Sequence, residues 1–316
     1  MRFGGLLASL LIGCGAAQAG GLRFCEQPPR LSASQQDKQL RFVAIVKDEL
    51  ERSGQGVALV SRAGTDLSRF EMRYSHAGLA LKASDNTPWS VRQLYYVCDE
   101  ASPKLYDQGL AGFLIGANQP ELGYLSVVLL PPLEGAALEQ AALDKRRALQ
   151  LLASDYSANA YPFSTRYQNC NQWVAELLAA TLGNLGNLEQ GAVDEVRPQA
   201  QAWLQAQGYR PSAFEIGFQP LLWGAAAFIP WVHNDDHPAE DLAAARYLVS
   251  MPASIEGFVQ QTLVGAQRIE FCHNRQHVLI RRGWGPALAE GCVAEAQDTV
   301  IALDQPSPKN LLSSGK

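Results

Sequence analysis

The sequence predicts an α+β fold in which an antiparallel sheet packs on helices, with a C-terminal α/β extension. The sheet is predicted by two neighbouring runs, residues 72–81 and 89–97, which are rich in apolar and aromatic residues and are joined by turn-forming residues at 84–88. The helices are predicted by apolar residues that recur at a helical period after Ser34. Hydrophobic residues make up 47% of the chain and charged residues 18%, which is enough apolar material to bury a sizeable core.

The predicted elements of the first half end at recognisable stop signals. A helix begins at Ser34, where Ser34-Gln35-Gln36-Asp37 resembles a capping box with Asp in place of Glu, and ends at Ser53-Gly54. A short β-branched run follows at 57–60. Beyond the two long strands, a buried strand is expected at 125–130, where two prolines close it.

The second half of the chain is predicted to be mainly helical, with strands near its end. Helices are expected at 136–153, at 170–182 with Gly183 after the last turn, near 198–207, and from about Ala239. The segment 268–292 resembles strands, and 305–316 is a Pro-, Ser- and Lys-rich tail that is expected to fray.

The most apolar stretch, residues 221–232, has two interpretations. Its 12 residues include Pro230, and a helix needs about 20 residues to span a membrane. The favoured interpretation is a buried core segment, and the alternative is a surface patch that contacts a lipid or a protein partner. No transmembrane span is therefore predicted in the mature chain.

The first residues resemble a targeting segment. Arg2 precedes an apolar core at 3–16, and Ala17-Gln18-Ala19 is a cleavage site of the A-x-A type, so residues 1–19 are predicted to be a signal peptide removed before Gly20. The mature protein would then be periplasmic or secreted. The stretch Leu11-Ile12-Gly13-Cys14 supports an alternative, a lipoprotein anchored at Cys14.

The composition disfavours nucleic acid as a partner. The 316-residue chain has a formal net charge of −5 and no dense run of Lys and Arg, so it lacks the basic surface that phosphate backbones require. It also lacks a G-x-S-x-G elbow, a Walker A loop and a G-x-G-x-x-G turn, which weakens serine-hydrolase and nucleotide-binding interpretations.

The cysteines suggest two disulfides and one free thiol. Removal of Cys14 with the signal peptide would leave five, and an oxidising compartment favours pairing. We expect Cys272 to pair with Cys292, because both lie in the strand-rich segment, and Cys25 to pair with Cys98. Cys170 would then stay free.

Cys170 is the candidate nucleophile. It lies directly before an apolar helical pattern, and a cysteine at a helix N-terminus faces the positive end of the helix dipole, which lowers the pKa of the thiol. The unpaired N–H groups of the first turn would then stabilise an oxyanion. The aromatic residues of the preceding loop either line a cleft or only pack: Tyr156, Tyr161, Phe163 and Tyr167.

His76 is the candidate base and Gln93 the residue that would orient it. In the predicted strand 72–81, alternation separates His76 and Gly78 from the aliphatic face, and Gly78 leaves room for an approaching group. Gln93 is polar and lies near the centre of the next strand, so we expect its amide to hold the imidazole. An uncharged orienting residue would stabilise an imidazolium less than a carboxylate would.

This order of motifs resembles a known arrangement. A strand histidine, a polar residue on the next strand and an Asn-Cys pair at a helix start resemble the circularly permuted branch of the NlpC-type papain-like superfamily, which includes relatives of lecithin:retinol acyltransferase. The blocks LRFC, RYSHAGLAL, WSVRQLYYVC and NCNQWVAELL resemble the bacterial family called domain of unknown function 2145. The resemblance implies a permuted papain-like core with Cys170 as nucleophile, His76 as base and Gln93 as orienting residue. Other members of the superfamily often have His or an acid in place of Gln93.

Two further histidine groups have weaker chemical interpretations. His233 and His237 flank two aspartates and are compatible with a metal site, but the aspartates and Pro238 favour a loop, in which the two rings are not held on one face. His273 and His277 lie in the strand-rich segment, where structural roles are favoured. The sequence therefore predicts no metal and no cofactor.

The sequence leads to one functional hypothesis and one rival. The hypothesis is an exported thiol hydrolase or acyltransferase that acts on an amide or ester bond through a Cys170 acyl-enzyme, with a cell-wall peptide or a lipid acyl group as substrate. The rival is a non-catalytic cell-envelope binding or scaffold protein on the same frame, which would contact an envelope component or protein. The predicted organisation is a signal peptide at 1–19, a permuted papain-like domain at 20–189, an extension packed on it at 190–304 and a flexible tail at 305–316.

Overall fold

The computed structural model describes residues 31–115, 121–185 and 196–303. In these ranges the strands are β1 Val57–Arg62, β2 His76–Leu81, β3 Ser90–Val97, β4 Ser102–Gln108, β5 Gly123–Leu129, β6 Ser212–Glu215, β7 Arg246–Val249, β8 Gln267–His273, β9 His277–Arg282 and β10 Thr299–Ala302. The helices are α1 Ala33–Arg52, α2 Leu110–Ile115, α3 Pro132–Leu143, α4 Lys145–Gln150, α5 Cys170–Leu182, α6 Val196–Ala206, α7 Gln219–Phe228, α8 Ala239–Ala243 and α9 Pro252–Thr262.

One antiparallel sheet organises the molecule. Its strand order is β10-β9-β8-β5-β1-β2-β3-β4, and β6 pairs with β7 in a separate two-stranded sheet. The predicted α+β class, an antiparallel sheet packed on helices, is confirmed. Strands from both sides of residue 190 join the large sheet, and the division into two units at that residue stays a prediction.

Helices cover both faces of the sheet. Along β2, Ala77 and Leu79 pack in the cluster that contains the apolar residues of α5, whereas Ala80 packs in the cluster that contains the apolar residues of α1 and α2. Every residue of β1 is buried, because this central strand has helices above and below it. The two faces of β2 therefore look into different cores, which places His76 and α5 on different sides of the sheet.

Helix α1 begins two residues before the predicted start. Ser32 caps it: its hydroxyl accepts from the Gln35 N–H at 3.3 Å, and the Gln35 side chain accepts from the Ser32 N–H at 2.9 Å, a complete capping box. The prediction of Ser34 as the capping residue was wrong, because Gln serves as the third residue of the box as well as an acid does.

Two other predicted boundaries also change. The helix expected at 136–153 is two helices, because Asp144 adopts an extended backbone (ψ 102°) and its carboxylate accepts from the N–H groups of Arg146 and Arg147 to begin α4. The strand expected from residue 72 begins at His76, since Met72 pairs in an isolated bridge with Leu67. The predicted signal peptide, Cys14 and most of the tail at 305–316 lie outside the described residues.

The interpretation of 221–232 as a buried core segment was wrong. Residues 219–228 form α7, and Leu222 is the buried residue of this helix, whereas Leu221 and Trp223 are each 55% exposed and Phe228 is 85% exposed. The exposed surface patch, which the sequence left open as the alternative, describes this segment. In the described part of the chain, every helix is too short or too polar to cross a bilayer.

Candidate functional site

Helix α5 begins at Cys170 and presents its free N–H groups to the sulfur. Asn169 is the N-cap, and its side-chain oxygen accepts from the Gln172 N–H at 2.7 Å. The N–H groups of Cys170 and Asn171 instead lie against the Cys170 sulfur, and both lower the pKa of the thiol. The local sequence thus places two hydrogen-bond donors where a thiolate or an oxyanion would form.

Asn171 ties this helix end to the strand that carries His76. Its Oδ1 accepts from the Ala77 N–H at 2.8 Å, and its Nδ2 donates to the Ser75 carbonyl at 3.1 Å. Both groups belong to the backbone at the start of β2. Because β3 pairs only with residues 79–81 of β2, the Asn171 amide binds β2 where β3 does not. The residues on either side of His76 are therefore bonded to the residue directly after Cys170.

His76 is oriented by Gln93. The His76 Nε2 lies 2.6 Å from Gln93 Oε1, and Gln93 Nε2 donates to Gln108 Oε1 at 2.8 Å. An amide oxygen only accepts, so His76 Nε2 carries the proton and Nδ1 keeps its lone pair. The structure thus brings together two of the three predicted site residues in the expected relation, with Gln108 as a further partner.

Gly78 has a different role from the predicted one. A Cβ at this position would lie 2.5 Å from Val91 Cγ1 and 3.3 Å from Gln93 Cβ. The space beside Gly78 is therefore filled by β3, and no room is left there for a ligand. The glycine allows β3 to approach closely enough for Gln93 to reach His76.

Burial dominates the protonation of His76. The pKa of the imidazole falls from 6.5 to about 3, because burial and, to a smaller extent, the positive charge of Arg62 lower it by more than the hydrogen bond to Gln93 raises it. Arg62 lies directly opposite His76 in the β1–β2 register, and its guanidinium stands 5.5 Å from the centre of the Phe113 ring. His76 is therefore neutral at physiological pH in this structure.

Burial also reverses the predicted effect of the helix on Cys170. It raises the pKa of the thiol from 9.0 to about 11, and the lowering effects of the Asn171 N–H and the Arg62 charge are smaller. The prediction of a lowered pKa was wrong for this conformation, because it considered the helix dipole without the loss of solvation. Cys170 is a free thiol, as predicted, and the residue as a whole is partly exposed.

Tyr156 contacts the sulfur and belongs to an aromatic cluster. The Tyr156 hydroxyl hydrogen-bonds to Cys170 Sγ. The Tyr156 ring stacks on Tyr96 at 4.9 Å between centroids, and Tyr96 lies 5.6 Å from the ring of Trp231. Of the two interpretations of the loop aromatics, a cleft lining and simple packing, the Tyr156 contact fits a residue that lines the site.

Cys170 and His76 belong to opposite faces of β2, at the end of that strand that β3 leaves unpaired. The apolar residues of α5 pack on the face of Ala77, whereas the His76 ring lies 6.0 Å from Phe113 on the other face. No hydrogen bond joins these two described side chains. Proton transfer between them therefore requires one of them to move, or a ligand to lie between them.

The loop before α5 is held by a buried ionic cluster. Glu176 is fully buried on α5 and accepts from Arg197 Nε at 2.8 Å, from Gln201 Nε2 at 2.7 Å and from Gln168 Nε2 at 2.5 Å. Arg197 also donates to the Tyr167 carbonyl at 3.0 Å. Because a buried carboxylate needs several partners, this cluster fixes the loop that leads to Cys170.

Sequence reasoning missed Arg62 and Asn171. Arg62 follows a β-branched run and belongs to no motif; the strand register places it opposite His76, and its charge also acts on Cys170. In the sequence, Asn171 stands out only as part of the helix start. A polar residue in the first turn of an otherwise apolar helix is the signal that the sequence offers for this role.

The other predicted cysteine and histidine roles have mixed outcomes. Cys272 and Cys292 form the predicted disulfide, and Cys98 is also disulfide-bonded, whereas Cys25 lies outside the described residues. His233 stacks on Tyr167 at 4.3 Å between centroids, and His237 Nε2 donates to the Asn159 carbonyl at 2.7 Å. In the described ranges no cluster of three or more His, Cys, Asp or Glu side chains is arranged to hold a metal ion.

Fold and site together define an α+β protein with a free cysteine at the start of a helix. Hydrogen bonds join that helix start to the strand that carries the histidine. The chain belongs to the family described as "Uncharacterized protein conserved in bacteria (DUF2145)", whose model matches residues 49–259 and so includes Cys170, His76 and Gln93. No curated protein and no solved structure matches the chain. The resemblance to the permuted papain-like superfamily stays a prediction.

Proposed function

We propose that the protein is an exported thiol hydrolase or acyltransferase in which Cys170 is the nucleophile, His76 the general base and Gln93 the residue that orients His76. The observation that carries the proposal is Asn171, whose side chain binds the backbone on both sides of His76. This pair of bonds holds the helix start that bears the thiol against the strand that bears the imidazole. The permuted papain-like frame belongs to the same proposal.

The proposed reaction proceeds through a thioester. His76 Nδ1 removes the proton of the Cys170 thiol while the sulfur attacks the carbonyl carbon, and the carbonyl oxygen takes the negative charge. The N–H groups of Cys170 and Asn171 bind that oxygen. The tetrahedral intermediate expels an amine or alcohol, which takes the proton from His76. Water or an acceptor hydroxyl then attacks the thioester, with His76 as base, and restores the free thiol.

The protonation states favour a base that acts during the attack. Burial holds the pKa of the thiol at about 11 and that of the imidazole at about 3, so both groups are neutral at rest. A preformed thiolate–imidazolium pair is therefore not the resting state. Arg62 favours the thiolate over the thiol, so its charge stabilises the sulfur as the proton leaves.

Acylation of Cys170 by a neutral activated ester tests the proposal. Wild type treated with p-nitrophenyl acetate is expected to gain one acetyl group at Cys170, detected by peptide mass spectrometry. The rate should fall by about 100-fold or more in His76→Ala, since general-base catalysis contributes roughly that factor. His233→Ala is the matched control and should react like wild type. Equal rates in wild type and His76→Ala would contradict the mechanism.

The proposed location is the bacterial cell envelope or beyond, after cleavage before Gly20 or with an anchor at Cys14. The Cys272–Cys292 disulfide supports an extracytoplasmic location, because such bonds persist in oxidising compartments. A cell-wall peptide and a lipid acyl group are the proposed substrate classes.

A second candidate function is a non-catalytic envelope-binding or scaffold protein. The observation that favours it is that Cys170 and His76 are both neutral and share no hydrogen bond with each other, whereas a thiol enzyme must pass a proton between them. The acylation experiment separates the two functions. A binding protein would show a slow reaction at Cys170 that is indifferent to His76→Ala.

A further inference from the structure

Helix α7 presents an apolar surface to solvent. Four large side chains define it, and we call them the α7 surface: Phe218 (59% exposed), Leu221 (55%), Trp223 (55%) and Phe228 (85%). Large apolar side chains that gather on one helix of a folded protein mark a contact site, since scattered single residues are the normal case. Nothing in the cysteine chemistry uses this surface.

The helix is anchored to the protein by Leu222, which lies between the exposed Leu221 and Trp223. Leu222 is 1% exposed and packs in a cluster with Tyr247 and Val249 of β7. The Leu222 carbonyl accepts from Asn234 Nδ2 at 3.1 Å and from the Tyr247 hydroxyl at 3.4 Å. The α7 surface is therefore held outward on a fixed support.

The chemistry of the segment matches a lipid. From Phe218 to Val232 the chain contains no Asp, Glu, Lys, Arg or His. Aromatic residues lie at both ends of this uncharged stretch, and Phe and Trp are the side chains that favour the boundary between headgroups and acyl chains.

The size of the segment disfavours a second copy of the chain. Helix α7 has 10 residues, so it is about 15 Å long and, with its side chains, about 10 Å wide. A stable interface buries about 800 Å² on each partner, several times the footprint of one such helix. Shallow insertion into a membrane surface needs only the apolar face of a short helix.

We propose that the α7 surface docks this protein on a lipid surface by inserting Leu221, Trp223 and Phe228 among the lipid chains. The helix lies in the plane of the interface, because a length of about 15 Å is half of the roughly 30 Å hydrocarbon core. Binding is apolar and does not depend on anionic lipid. The proposal is independent of the reactivity of Cys170.

Quenching of tryptophan fluorescence tests the insertion directly. The full chain, as processed by the producing cells, is mixed with vesicles of phosphatidylcholine brominated on the acyl chains. Wild type is expected to be quenched, and Trp223→Phe, which keeps an apolar side chain, should lose part of that quenching. The comparison reports on α7 whatever else attaches the protein to the vesicle.

Vesicle co-sedimentation provides the second measurement. The variant Leu221→Ser/Trp223→Ser/Phe228→Ser should bind phosphatidylcholine vesicles at least about tenfold more weakly than wild type, since three large apolar side chains no longer insert. The matched control is Leu133→Ser/Leu149→Ser/Val264→Ser, which removes three exposed apolar side chains from other parts of the molecule and should bind like wild type. Phosphatidylglycerol and high salt should leave wild-type binding unchanged.

Several outcomes would overturn the proposal. These are no quenching by the brominated lipid, equal quenching of wild type and Trp223→Phe, or equal weakening by the α7 variant and its control. Binding that disappears in high salt would show that charge attraction, and not insertion of apolar side chains, holds the protein on the vesicle. Light scattering that shows a lipid-free dimer, dissociated by the α7 variant, would assign the surface to a second copy of the chain.

Discussion

At the scale of single residues, one physical cause acts on two groups in opposite directions. Loss of solvation penalises a charge of either sign, so it raises the pKa of the Cys170 thiol to about 11 and lowers that of His76 to about 3. Motif reasoning from the sequence identified the helix dipole at Cys170 but not this larger effect, because the covering residues come from distant parts of the chain. As a consequence, Cys170 and His76 are both neutral at physiological pH.

The lowered pKa of His76 predicts a pH dependence of stability. Between pH 3 and 6.5 the unfolded chain binds a proton at His76 that the folded protein does not. The free energy of unfolding should therefore fall as the pH is lowered through this window, whereas above pH 6.5 this contribution is fully present. In His76→Asn, chemical denaturation at a series of pH values should show a shallower slope, smaller by up to one proton.

His273 provides an internal comparison for that measurement. Burial lowers its pKa to about 4, so His273→Asn should reduce the slope in the same direction over the narrower window from pH 4 to 6.5. If His76→Asn had the same slope as wild type while His273→Asn did not, the burial of His76 described above would be wrong.

Removal of the Asn171 side chain is expected to destabilise the protein, whereas removal of an exposed amide elsewhere is not. Asn171→Ala leaves the Ala77 N–H and the Ser75 carbonyl without the side chain that binds them, so the free energy of unfolding should fall by about 1–3 kcal/mol. The control is Gln205→Ala, an exposed amide on α6, which should change stability by less than about 0.5 kcal/mol. Urea denaturation measures both, and equal midpoints would show that Asn171 does not tie α5 to β2.

At the scale of elements, α5 was predicted with its observed bounds, whereas α1 was predicted with the wrong cap. Helix α5 has an unambiguous cap and a glycine after its last turn. Before α1 two serines stand two residues apart, and only the geometry shows which one faces the free N–H groups. Local sequence therefore determines that these helices exist, and it determines their ends only where a single residue can serve as cap.

The two serines before α1 give a direct test. Ser32→Ala should lower the free energy of unfolding by about 1 kcal/mol, because the Gln35 N–H loses its partner. Ser34→Ala should have almost no effect, since Ser34 is exposed in the first turn and alanine is a good helix former. Thermal or urea denaturation measures both variants. A larger loss of stability in Ser34→Ala than in Ser32→Ala would show that Ser34 is the capping residue.

The close approach of β2 and β3 requires a residue without a side chain at Gly78. In Gly78→Ala the new Cβ would meet Val91 Cγ1 at 2.5 Å and the Arg92 carbonyl oxygen at 3.1 Å, so β3 must shift, at a cost of about 1–3 kcal/mol. Gly257→Ala on α9 meets nothing within 4 Å and should stabilise the protein slightly. A Gly78→Ala protein as stable as wild type would mean that β3 yields without cost.

At the scale of the whole molecule, the order of the strands in the sheet could not be predicted from the sequence. Alternation predicts which residues of a strand share a face, but β5 pairs with β8, which lies more than a hundred residues further along the chain. The position of the Arg62 charge beside His76 depends on the register between β1 and β2, which the sequence does not give either. The exposure of α7 was misjudged because hydrophobicity alone does not show whether the rest of the protein has a surface to cover a segment.

The Cys272–Cys292 disulfide predicts the largest change in global stability. It closes a loop with a sequence separation of 20 residues and joins β8 to the segment before β10. The double variant Cys272→Ala/Cys292→Ala should have a free energy of unfolding lower by about 3 kcal/mol, because the unfolded chain regains the freedom that the loop removes. Urea denaturation provides the measurement, and a loss below about 1 kcal/mol would contradict this role.

Asn171 also limits how a ligand can be recognised. An extended peptide often binds by adding a strand to an exposed edge, where it hydrogen-bonds to free N–H and C=O groups of the backbone. Beside His76 the two backbone groups that a peptide strand would need are already taken by the Asn171 amide. Strand addition is therefore closed at this point of β2. A ligand that reaches Cys170 must be recognised there by side chains and by the first amides of α5.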